Sequence, residues 1–357
     1  MKKHLSILAV LVASAMCLPA CGKSKKSDDK KLKIVTTIFP EYDWVMNVLG
    51  DEKKNADVTL LLDNGVDLHS YQPTAEDILK ISECDLFIYV GGESDEWVED
   101  VLDQAKNKDM AVINLLESLG DTVKEEEVVE GMQHDHDHDH DEHDDHDDHD
   151  EHDHDEHDEH DDHDEDHDEH DHEHDEEEVE YDEHVWLSLK NASSLVGTIS
   201  EKLSQIDKDH ADTYKKNAES YRQKLSELDA KYQAAVDGAS VKTLLFGDRF
   251  PFRYLVDDYG LSYYAAFVGC SAESEASFET IVFLSQKVDE LNLKAVMTIE
   301  GPNHKIAETI KENTGSKDQV ILSMDSMQSV TSKDVKDGAS YLSIMEKNLD
   351  VLKEALK

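Results

Sequence analysis

The chain has 357 residues and a formal charge of −49, with 84 acidic residues against 35 lysines and arginines. That balance argues against nucleic acid as a partner and favours cations. The excess is local: residues 125–183 lack Lys and Arg and contribute −36 of it, so the remainder is only moderately acidic and is long enough for two α/β domains or one large one.

Residues 1–21 read as a lipoprotein signal peptide. Lys2 and Lys3 form a charged start, and Leu5 to Leu18 is an apolar stretch too short for a usual membrane span. It ends in Leu18-Pro19-Ala20-Cys21-Gly22, which resembles the bacterial lipobox. That resemblance implies a lipid on Cys21 holding the protein to the outer face of the cell membrane. Residues 22–31, rich in Lys, Ser and Asp, read as a polar tether.

Residues 32–190 read as a first α/β lobe. Short apolar runs at 32–39, 58–62, 86–90 and 111–115 predict strands, and helical spacing appears at 75–82 and 97–105. Within this lobe lies an insert at 125–180. Its 41-residue run 134–174 contains only His, Asp and Glu, with sixteen histidines: His134, His136, His138, His140, His143, His146, His149, His152, His154, His157, His160, His163, His167, His170, His172 and His174. With no apolar residue to bury, the run is expected to be disordered. Imidazoles among dense carboxylates suit divalent cations, so each histidine is a candidate weak metal ligand.

Residues 191–238 predict a helical linker. Tyr214, Tyr221, Leu225, Leu228 and Tyr232 make an apolar stripe at helical period from about 209 to 235, and Gly238 is a plausible stop. Such a helix would span roughly 40 Å. Residues 239–357 read as a second α/β lobe, with strands at 243–246, 263–267, 295–299 and 320–324 and helices at 278–291 and 305–313. The fold class is therefore α/β, two mostly parallel-sheet lobes joined by a long rigid helix. Cys84 and Cys270 lack the close spacing of a zinc–thiolate site and fall beside strands, so they read as buried thiols, with a disulfide between them left open.

Two histidines outside the insert stand in pointed contexts, in Gly65-Val66-Asp67-Leu68-His69-Ser70-Tyr71-Gln72-Pro73 and in Asp182-Glu183-His184-Val185-Trp186-Leu187. These stretches resemble the two histidine motifs of the zinc and manganese substrate-binding lipoproteins of bacterial ABC importers. A His-rich acidic loop before the second motif resembles the zinc-importing members, and the tail from Tyr341 to Leu352 is similar to the family's last helix. The resemblance implies one metal in the cleft between the lobes, with His69 and His184 as ligands from the first lobe and Asp325, after the last strand, from the second. The remaining ligand departs from the family pattern. Phe246-Gly247-Asp248-Arg249-Phe250-Pro251 has no His or Glu where one is expected, and strict register places Arg249 there. Asp248 is the working third ligand, with Glu300, His304 or an insert histidine as alternatives.

Two imidazoles and one or two carboxylates suit Zn(II) and also accept Mn(II). The leading expectation is a monomeric, non-catalytic protein that captures zinc outside the cytoplasm and delivers it to an ABC permease and its ATPase. The alternatives are a manganese-specific protein of the same kind, or a surface metal buffer or cell-adhesion protein with no permease. No HExxH, Gly-x-Ser-x-Gly or Walker motif supports an enzyme.

Overall fold

The computed structural model describes residues 31–133, 180–271 and 275–357. The expected signal peptide with Cys21, residues 22–30 of the tether and the histidine run 134–174 lie outside the described residues.

The first lobe begins with β1 (Leu32–Thr36), which passes directly into α1 (Phe39–Leu49). The strand ends short of residue 39 because Pro40, in the first helical turn, lacks the N–H that a ladder needs but suits a helix start. Glu41 folds back to accept the Thr37 N–H at 2.8 Å and fixes the turn. The chain continues through β2 (Ala56–Leu60), α2 (Ala75–Glu83), β3 (Leu86–Tyr89), α3 (Trp97–Asp103), β4 (Ala111–Asn114) and α4 (Leu115–Leu119). Thr74 caps α2 by accepting the Asp77 N–H, and Asp77 returns the bond to Thr74. The strands pair in the order β2-β1-β3-β4, all parallel, as apolar runs separated by helices require.

Two helices follow, α5 (Leu189–Ile206) and α6 (Ala211–Asp237), the second where the apolar stripe predicted a helix from about 209 to 235. They pack side by side across a short turn. The Tyr214, Tyr221, Leu225, Leu228 and Tyr232 stripe is buried along α6, which touches α1 and α5 on one side.

The second lobe contains β5 (Thr243–Phe250), α7 (Arg253–Tyr259), β6 (Ser262–Val268), α8 (Phe278–Glu290), β7 (Ala295–Ile299), α9 (Lys305–Asn313), β8 (Val320–Met324), α10 (Ser332–Lys336) and α11 (Tyr341–Ala355). Its strands pair in the order β6-β5-β7-β8, again parallel. β5 is longer than its apolar run because an irregularity between Phe246 and Arg249 lets pairing with β6 resume up to Phe250. Asp248 and Arg249 therefore sit in a strand, beyond the 243–246 run that predicted it. α6 also touches α7 and α11, so it bridges the two lobes.

One apolar core runs through both lobes, from Ile34 and Trp44 past Leu225 and Tyr232 to Phe246 and Leu352. A smaller core under α8 and α9 holds Leu245, Leu284, Val296 and Ile310. Polar ties add to the first. The Trp186 indole N–H donates to Ser326 O at 2.9 Å, the Tyr254 hydroxyl to Asp182 O at 2.8 Å, and the Ser332 N–H to Asp63 O at 2.7 Å. Among the described residues no helix is long and apolar enough to cross a membrane.

Candidate metal centre

His69 and His184 are set by the same local device. In Asp67-Leu68-His69 the Asp67 carboxylate accepts the His69 N–H at 3.1 Å and caps a short 3-10 turn, Leu68–Ser70. In Asp182-Glu183-His184 the Asp182 Oδ1 accepts the His184 N–H at 2.8 Å just before another such turn, Val185–Leu187. An aspartate two residues upstream fixes the backbone in each case, a common use of its short carboxylate. Buried Leu68 and Trp186 anchor the two turns in the core, and the His184 ring packs on Trp186 with centroids 5.2 Å apart.

The two rings meet between the lobes. His69 Nε2 and His184 Nε2 stand 3.2 Å apart. Two nitrogens bound to one tetrahedral zinc at about 2.0–2.1 Å would lie about 3.3 Å apart. On the far side of each ring, His184 Nδ1 is 3.0 Å from Asp182 Oδ1, while His69 Nδ1 is 2.8 Å from Ser94 Oγ and 3.4 Å from Glu183 Oε2. Asp182 on His184, and Ser94 with the Glu183 carboxylate behind it on His69, occupy the outer nitrogens and leave both Nε2 atoms facing one point, as metal-binding histidines are oriented. Burial, the neighbouring imidazole and the Arg249 guanidinium together outweigh Asp67 and hold His69 down to about 3, so it is neutral at ordinary pH.

Glu183, between Asp182 and His184, is buried. It accepts the Ser94 N–H through Oε1 at 2.8 Å, and burial pushes its carboxyl up. Gly92 has φ +81, and a Cβ there would meet Glu183 Oε1 at 2.5 Å, so only glycine allows this contact.

Cys270 Sγ joins the pair. One ligand atom each from His69, His184 and Cys270 lies within 4.8 Å of the others, and no other such cluster occurs among the described residues. Cys84 and Cys270 are free thiols. Sequence reasoning passed over Cys270 because a lone cysteine lacks ligand spacing. Its signal was position: it follows the carboxyl end of β6, where parallel sheets place their ligand sites.

The other expected ligands lie outside this cluster. Asp248 is turned into its own lobe, accepting the Arg249 N–H through Oδ1 and the Thr298 hydroxyl (2.6 Å) and Ile299 N–H through Oδ2. Arg249 pairs with Asp67 across the cleft. Glu300 accepts the Ser326 N–H and hydroxyl at 2.7 and 2.8 Å, and His304 Nδ1 is 3.1 Å from Thr298 Oγ1. Asp325 follows β8, accepts the Met327 N–H at 2.8 Å and is pushed up to about 6 by burial and by Glu300. A cleft of about 660 Å³ opens onto His69 and Cys270, lined by Glu93, Glu96, Glu126, Glu180 and Glu183. Its carboxylates concentrate cations at the mouth.

Two parallel-sheet lobes enclose an imidazole pair at the foot of an acidic cleft, a donor set that can hold a metal cation. The chain belongs to the family described as zinc-uptake complex component A, periplasmic, which matches residues 34–355. It is 32% identical to the zinc-binding lipoprotein AdcA of Streptococcus pneumoniae (strain ATCC BAA-255 / R6), over 99% of this chain and 61% of that protein. This chain thus spans about three fifths of the length of the first curated relatives it matches. It is 29% identical to the high-affinity zinc uptake system protein ZnuA of Bacillus subtilis (strain 168), over 100% of this chain and 99% of that protein. The crystal structure of the Zn(II)-bound ZnuA-like domain of Streptococcus pneumoniae AdcA superposes with a TM-score of 0.64 at 28% identity, covering 91% of this chain and 99% of that one.

Proposed function

We propose that this protein captures Zn(II) outside the cytoplasm and passes it to an ABC permease driven by its ATPase. The observation that carries the reading is the 3.2 Å approach of His69 Nε2 to His184 Nε2, with both outer nitrogens held by oxygen partners. The names of the pneumococcal and Bacillus relatives, a zinc-binding lipoprotein and a zinc uptake protein, support the same cargo. Asp325, which follows β8 and precedes the Ser326 carbonyl that receives the Trp186 indole, is our candidate for a carboxylate added to the shell from the second lobe. The protein acts as a monomer held to the membrane through lipid on Cys21, and it works as a carrier with no catalytic step. The sixteen histidines of residues 134–174 gather zinc weakly, because holding an ion among them costs conformational entropy.

Competitive equilibrium titration with zinc and manganese tests this on the whole chain, on a deletion of 134–174 and on His69→Ala. The expected result is one tight zinc site that survives the deletion and disappears in His69→Ala, with several weak sites lost on deletion. A tight site that vanishes with the insert would leave a surface metal buffer. Tighter manganese binding would make manganese the cargo.

A further inference from the structure

We propose that the Cys270 thiolate is the third protein ligand of the captured zinc, so that the centre is His69, His184 and Cys270, two nitrogens and a sulfur rather than imidazole and carboxylate alone. The inference rests on zinc capture by the imidazole pair.

Four observations carry it. Cys270 Sγ lies within 4.8 Å of a ring nitrogen of both histidines. The backbone beside it is built for close approach: a Cβ on Gly269 would stand 3.0 Å from His184 Cε1 and 3.0 Å from Phe250 O. The loop is pinned, since the Cys270 N–H donates to Glu126 Oε1 at 3.3 Å. Finally, the nearby second-lobe positions do not compete. Both Asp248 oxygens are occupied by groups of their own lobe, and Arg249 presents a cation already paired with Asp67.

The chemistry follows from the donor. When Zn(II) arrives, a Zn–S bond forms, the S–H bond breaks and its proton leaves to solvent; no electrons are transferred. The fourth coordination position is then open to Asp325 or water. A soft thiolate favours zinc over manganese more than a carboxylate does, so Cys270 sets selectivity as well as affinity.

Zinc K-edge X-ray absorption on the whole chain, loaded with sub-stoichiometric zinc so that only the tightest site fills, tests the assignment. The expected spectrum contains one sulfur at about 2.3 Å beside nitrogen and oxygen at about 2.0–2.2 Å. The sulfur shell should vanish in Cys270→Ser and remain in Cys84→Ala. Cobalt loading gives a second readout, a thiolate-to-metal charge-transfer band present in the wild type and absent in Cys270→Ser. Cys270→Asp should lower the zinc-to-manganese affinity ratio by about tenfold or more. A wild-type spectrum with only nitrogen and oxygen neighbours, or a sulfur shell that survives Cys270→Ser, overturns the proposal. If the tight site persists in those cases and is still abolished by His69→Ala, the zinc reading stands without the thiolate. If His69→Ala leaves tight binding intact, both fail.

Discussion

Arg249 of β5 forms an ion pair with Asp67, the residue whose carboxylate holds the His69 backbone. The pair joins the second lobe to the turn that carries His69. Burial pushes the Asp67 carboxyl up, yet Arg249 and His69 beside it hold it below the usual range. Both side chains are about one fifth exposed, so the pair is screened less than a surface bridge. Arg249→Gln is therefore expected to lower stability by about 1–2 kcal/mol. The same change removes a cation near the site and leaves the Asp67 charge unpaired beside it, which favours a bound dication. Zinc affinity should rise, roughly fivefold. Thermal melts and competitive titration on one variant thus read opposite signs. A parallel loss of both would mean that the pair serves only to hold His69 in place.

Glu183 stands behind His69, where it is expected to tune zinc binding through the imidazole. Its Oε2 is buried, finds no hydrogen-bond donor in normal geometry and faces His69 Nδ1 at 3.4 Å, while Ser94 holds Oε1. A carboxylate behind a ligating imidazole fixes the tautomer and strengthens the donor, and losing one typically costs about 10–100-fold in metal affinity. Glu183→Gln keeps the volume and the Ser94 contact, so the fold should be unchanged while zinc binds about 10–100-fold more weakly. Unchanged zinc affinity in a folded variant would assign Glu183 to packing alone.

Much of this was legible in the sequence because period and punctuation carry it. All eight expected strands occur, and 295–299 and 320–324 occur with their expected bounds. The α6 stripe is buried residue for residue. The pairing of His69 with His184 was implied by the resemblance of their two stretches to the family's histidine motifs. The departures have physical causes. α1 begins where a strand was expected because Pro40 favours a helix start over a ladder. β5 runs on past its apolar segment because its irregularity restores pairing at Arg249 and Phe250. Cys270 and Glu183 were missed as parts of the centre because their roles depend on which strand end and which glycine turn face the histidines. That juxtaposition is made by packing between the lobes, not by local spacing.

Gly269 offers a test of that packing. An added Cβ would press on the His184 ring and on the Phe250 carbonyl, at 3.0 Å from each. The strand end must then give by a few tenths of an ångström, carrying Cys270 away from the imidazole pair. Gly269→Ala is expected to keep the fold, as followed by circular dichroism, but to weaken zinc by about tenfold, since misplacing one ligand loosens the whole set. It should also reduce the cobalt charge-transfer intensity. Wild-type zinc affinity in this variant would show that the 269–270 segment need not approach His184 closely.

Away from the centre, Asp43 makes stability depend on pH. Its carboxylate, on α1, accepts the Tyr221 hydroxyl of α6 at 3.0 Å and the Tyr341 N–H that opens α11 at 3.3 Å, so it sits where three helices meet. Burial, opposed by these two bonds, raises it from 3.8 to about 6. Between those values the folded protein holds a proton that the unfolded chain has lost, so folding is favoured at low pH. That contribution is lost as the pH rises through about 6. Asp43→Asn keeps an oxygen acceptor for the Tyr221, Tyr341 and Asn47 donors and removes the buried charge. It should be more stable than the wild type by about 2 kcal/mol at pH 7, with the gain fading towards pH 4. Urea melts at the two pH values measure this directly. An equal difference at both would mean that Asp43 is ionised throughout and that the charge strengthens the Tyr221 and Tyr341 bonds more than burial weakens it.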